Sequence, residues 1–75
     1  MIEQIEFLEI ISLLEENYNK KMSDNKIRIW YDEFKDCDKG ILRQAIVRCI
    51  KEYPYFPIIN QVKEQINTLL QYERI

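Results

Sequence analysis

The chain has 75 residues, 47% of them hydrophobic and 32% charged, with a formal net charge of -2. That length holds one domain, because separate cores need on the order of 100 residues each, and the balance of apolar and charged residues is that of a chain that folds. With no histidine, one glycine and two cysteines, the chain cannot build a Ser-His-Asp or Cys-His site, a P-loop or a G-x-G-x-x-G phosphate cradle, and its two thiols are half of a tetrahedral zinc set.

The first helix is expected at roughly residues 2 to 19. At 100° per residue, Phe7, Leu8, Ile10, Ile11, Leu14 and Tyr18 fall on one broad arc, the core face. Glu3, Glu6 and Glu9 near its start and Lys20 and Lys21 after its end suit the helix dipole. A second apolar group, Ile2, Ile5 and Leu13, projects away from that arc. A helix apolar on two sides is either central in its bundle or in contact with another chain, so these three residues are candidates for self-association, with a central position as the milder reading. The glutamates also interrupt the first apolar segment, which is therefore unlike a signal peptide, and the longest apolar runs fall far short of the 18 or so residues needed to span a bilayer. Reduced thiols, a cytoplasmic location and no membrane partner are expected.

Ser23 or Asp24 is placed to cap a second helix, about 24 to 36, with Ile27, Trp30, Tyr31 and Phe34 at i, i+3, i+4, i+7. Asp36 or Asp38 is placed to cap a third, running to about Glu52, with Ile41, Leu42, Ala45, Ile46, Cys49 and Ile50 on one side. The segment Tyr53-Pro54-Tyr55-Phe56-Pro57 breaks the helical pattern, and Pro57 suits the first turn of a fourth helix, about 58 to 72, with Ile58, Ile59, Val62, Ile66, Leu69 and Leu70 as its apolar stripe. The expectation is one all-α domain over residues 1–75, four helices with short connections.

No catalytic residue, cofactor or metal ligand is expected: carboxylate neighbours such as Glu15 and Glu16 read as solvated helix charges, and Cys37, between Asp36 and Asp38, is disfavoured as a thiolate. The third helix has the most informative outer face. Lys39, Arg43, Arg48 and Lys51 spread over it around Val47, an arrangement suited to phosphates or an acidic protein surface, against the plain alternative of a solvated face. Tyr53 and Tyr55 in the turn are further candidates for partner contact, whereas Phe56 is expected to plug the bundle end. A small DNA-binding domain reading through the third helix is an alternative, opposed by an acidic remainder that repels phosphate over a Debye length of about 10 Å.

The succession of a first helix ending in Leu14 and Tyr18, then Trp30-Tyr31-x-x-Phe34-x-Asp36, Leu42-x-x-Ala45-Ile46 and Phe56-Pro57-x-Ile59-x-x-Val62-x-x-x-Ile66 resembles the N-terminal domain of the bacteriophage helicase loader and inhibitor family, over roughly residues 5 to 70. Similar patterns occur in phage replisome-organiser proteins. The resemblance implies a small non-enzymatic adaptor of phage or prophage DNA replication in a bacterial host cell. Its partners would be the replicative helicase, whose ATPase and unwinding it holds back, and the origin-binding initiator to which it delivers that helicase. It also implies an all-helical domain followed by a disordered tail that engages the helicase. This sequence ends at Ile75 after the fourth predicted helix, so no tail contact is carried over.

Overall fold

Helix boundaries in this chain are set by side chains that satisfy the amide groups a first turn leaves open. The computed structural model describes residues 1–73, so the last two residues of the expected domain lie outside it. Helix α1 (Gln4–Tyr18) starts from a capping box in which the Glu3 amide donates to Glu6 Oε1 at 3.3 Å and the Glu3 side chain accepts from the Glu6 amide. It ends at Asn19, whose left-handed conformation (φ 53°) turns the chain so that the Lys20 amide donates to the Glu15 carbonyl. Helix α2 (Asp24–Phe34) is capped by Ser23, whose hydroxyl accepts from the Lys26 amide at 3.2 Å. Helix α3 (Lys39–Glu52) is capped by Asp38, which accepts from the Ile41 amide at 3.0 Å. With Asp38 rather than Asp36 as the cap, α2 stops at Phe34, and the Cys37 amide closes the connecting turn on the Phe34 carbonyl. Helix α4 (Ile59–Glu73) begins just after Pro57, with the Ile58 amide donating to Gln61 Oε1 at 3.0 Å.

The four helices expected from the periodicity are thus present, and the described residues contain no strand. Helix α3 packs against both α1 and α4 and carries the buried residues Ile41, Leu42, Ala45, Ile46 and Cys49. The central helix is therefore α3, not α1. Phe7, Ile11 and Leu14 meet α3 from one side, Val62 belongs to the same core from α4, and α2 adds Trp30 and Phe34. Phe56 fills the end of the bundle as expected, its ring 5.6 Å from Tyr18 and 6.2 Å from Trp30. The molecule measures 37 × 29 × 17 Å. Its thinnest dimension is under two helix diameters of about 10 Å each, so each helix keeps a face in water.

The structure corrects several expectations of burial. Ile2, read as projecting outward, is 3% exposed and belongs to the core. It precedes α1, so the helical angle does not govern it; its amide donates to the Lys35 carbonyl at 2.7 Å and its carbonyl accepts from the Tyr31 hydroxyl at 2.6 Å. Leu13 is half-buried against the core, and of that trio only Ile5 is well exposed. Conversely, Leu8, expected in the core arc, is about half exposed, and Ile58, expected in the fourth apolar stripe, lies before α4 begins and is exposed. Leu70 is also exposed, near the far end of α4.

Candidate functional site

The sequence places basic residues around Val47 on α3, and the tertiary structure divides them into two kinds. Lys39 donates a short hydrogen bond to the Glu6 carboxylate of α1. Each partner favours the other's charged form: the Lys39 hydrogen bond lowers the Glu6 pKa, and the Glu6 carboxylate raises that of Lys39. Arg48 is half-buried; its Nε donates to Gln65 Oε1 at 2.9 Å and its guanidinium lies 3.6 Å from the Glu52 carboxylate. Both of these cations have partners within the fold, Lys39 in a solvent-exposed ion pair and Arg48 in a half-buried network. Arg43 and Lys51 are exposed on either side of the half-buried Val47, and neither forms an ion pair with a carboxylate among the described residues.

The geometry therefore concentrates the candidate face on Arg43, Val47 and Lys51. It also weakens the case for α3 as a DNA reader, because phosphate contacts scale with the number of free cations that reach the backbone.

Gln65 is the residue whose role the sequence reading missed. It is buried, accepts from Arg48, and donates to Glu52 Oε2 at 2.7 Å and to the Tyr53 hydroxyl at 3.3 Å. A polar side chain at such a site is stable only because its bonds are made. The signal was available: residue 65 stands i+3 from Val62 and i−4 from Leu69, on the apolar stripe of α4. Through Gln65, the α3 basic face is tied to the turn that follows it. Tyr53 is half-buried in this network and Tyr55 is exposed, their ring centroids 5.9 Å apart. The Tyr55 hydroxyl accepts from Gln61 Nε2 at 2.8 Å, which holds the outer ring against the start of α4.

Both cysteines are free thiols, held toward their protonated forms. Burial pushes Cys49 up to about 11, with the Glu52 charge adding to it, and burial followed by the Asp38 charge raises Cys37. Among the described residues no group of three His, Cys, Asp or Glu side chains is gathered to hold a metal ion, and no helix is long and apolar enough to cross a membrane.

The sequence matches the family model for the G39P_N domain, the N-terminal domain of phage helicase loaders and inhibitors, over residues 2–63, which takes in α1 to α3 and the start of α4. No curated protein and no solved structure matches the chain. By that match, over most of its length, the chain belongs to the G39P_N family of phage helicase-associated domains.

Proposed function

We propose that this chain is a non-enzymatic adaptor in phage or prophage DNA replication, acting in the cytoplasm of a bacterial host. In this reading it binds the replicative helicase, or the origin-binding initiator that receives it, through Arg43, Val47 and Lys51 of α3 and the neighbouring ring of Tyr55. The family match over residues 2–63 carries the proposal. Two features of the surface support it. The unpaired cations flank an apolar residue, a combination suited to an acidic protein surface, and the adjoining aromatic turn is held by side-chain hydrogen bonds, so little ordering entropy is lost on contact.

The mechanism is population control. An adaptor that binds the unloaded helicase better than the translocating one shifts the enzyme toward its inactive state by the difference in affinity. The test is co-elution and unwinding inhibition with the purified helicase and initiator of the same phage, compared with duplex and single-stranded DNA in a salt titration. The expected result is a complex with one of the two proteins, lost on combining Arg43→Glu with Lys51→Glu in a variant that keeps its thermal midpoint. Binding to DNA alone, with a steep loss of affinity as salt rises, would overturn it.

A further inference from the structure

A broad, open groove lies away from the α3 face, between α2 and the start of α4. It encloses about 430 Å³ and is lined by Trp30, Pro57, Ile58 and Ile59 together with Lys26, Lys63 and Glu33. Ile58 at its edge is 59% exposed. Ile29, one turn along α2 from both Lys26 and Glu33, is 57% exposed. Ile58 in the groove lining and Ile29 beside it on α2, both this open, mark a surface that gains from being covered.

The charges decide what covers it. Lys26 and Lys63 bring two cations to the groove against the single carboxylate of Glu33. Lys63 pairs with Glu33 at 2.8 Å, but both partners are well exposed, and such pairs exchange partners at little cost. The Lys26 ammonium stands 4.4 Å from the centre of the Phe56 ring, with no carboxylate partner among the described residues. The positive end of α4 opens on the same groove. A second copy of the chain would bring the same cations against each other, which disfavours self-pairing here.

We propose that the α2–α4 groove docks an acidic segment of a partner protein, one that inserts a large apolar side chain over Trp30 and Pro57 between Ile29 and Ile58 and sets its carboxylates against Lys26 and Lys63. This surface is separate from the α3 face and does not depend on the helicase reading.

Trp30 lines the groove and is the only tryptophan in the chain, so its emission reports occupancy directly. The probes are three synthetic peptides of equal length: an amphipathic Leu/Glu repeat, its Leu/Lys counterpart, and an acidic Glu/Ser repeat with no apolar residue. The Leu/Glu peptide is expected to shift Trp30 emission saturably, with affinity falling as salt rises, while the other two leave it unchanged. Ile29→Ser with Ile58→Ser, at exposed positions that leave the core intact, should weaken binding about tenfold, and Lys26→Gln with Lys63→Gln should remove most of the salt dependence. Arg43→Glu with Lys51→Glu should have no effect. The proposal is overturned if the serine variant binds as tightly as the parent, if the Leu/Lys peptide binds equally well, or if the α3 variant is the one that loses binding. It is also overturned if sedimentation equilibrium shows a dimer that Ile58→Ser dissociates, since a second copy would then be the occupant.

Discussion

The Tyr18 hydroxyl donates to the Tyr53 carbonyl at 2.7 Å, beside the Cys49 carbonyl that already accepts from the Tyr53 amide, so a side chain from the last turn of α1 satisfies the carbonyl that caps α3. Carbonyls at a helix C-terminus have no partner within the helix. The bond thus fixes both the end of α3 and the start of the aromatic turn. Replacing Tyr18 with Phe keeps the ring packed against Phe56 but removes the donor, and should cost about 1–2 kcal/mol. Urea unfolding followed by Trp30 fluorescence measures this. An unchanged midpoint would show that water replaces the hydroxyl without loss.

Stability should fall in alkali, with a defined onset. A group whose pKa is raised by folding contributes fully below its unfolded value and loses that contribution as pH climbs through the folded one. For Cys49 the window runs from the ordinary 9.0 to about 11. Tyr18, raised above 10.0 by burial first and then by the charges of Cys49 and Tyr55, extends the loss upward. Urea midpoints should stay level toward pH 9 and decline beyond it. Cys49→Ala, though less stable at neutrality because of the cavity it leaves, should show a flatter profile between pH 9 and 11.

Gln65 connects Arg48, Glu52 and Tyr53, and Gln65→Leu removes one hydrogen-bond partner from each. The expected loss is about 1–3 kcal/mol, the cost of leaving partly buried polar groups without partners. The same change leaves the Arg48 guanidinium held only by its exposed pair with Glu52. The variant should therefore be less stable in chemical denaturation and yet bind an acidic partner of the α3 face more tightly, at temperatures where it remains folded.

Asn19 is the one non-glycine residue with positive φ among those described. Asparagine tolerates that conformation better than alanine and less well than glycine. Asn19→Ala should cost about 1 kcal/mol and Asn19→Gly should gain a few tenths. Calorimetric midpoints in the order Gly, Asn, Ala would confirm that this turn, rather than a side-chain contact, governs the position.

The sequence by itself determined the number of helices, the break at Tyr53 to Pro57 and the buried faces of α2 and α3, and narrowed two caps to Ser23 or Asp24 and Asp36 or Asp38, of which the structure uses Ser23 and Asp38. These are local properties, because a capping oxygen, a proline and a 3.6-residue period act within a turn or two of chain. Periodicity assigns a residue to a face but does not say how far a neighbouring helix covers that face. Leu8 shares an arc with Phe7 and Ile11, yet only the latter two belong to the core, and the edge of the apolar arc stays wet. Periodicity also loses its phase at a helix end, which is why Ile2 turned inward and Ile58 outward. The candidate site shows the same division. Sequence spacing brought Lys39, Arg43, Arg48 and Lys51 to one helix. Only the tertiary structure, by placing Glu6 beside Lys39 and Gln65 beside Arg48, left Arg43 and Lys51 as the cations open to a partner.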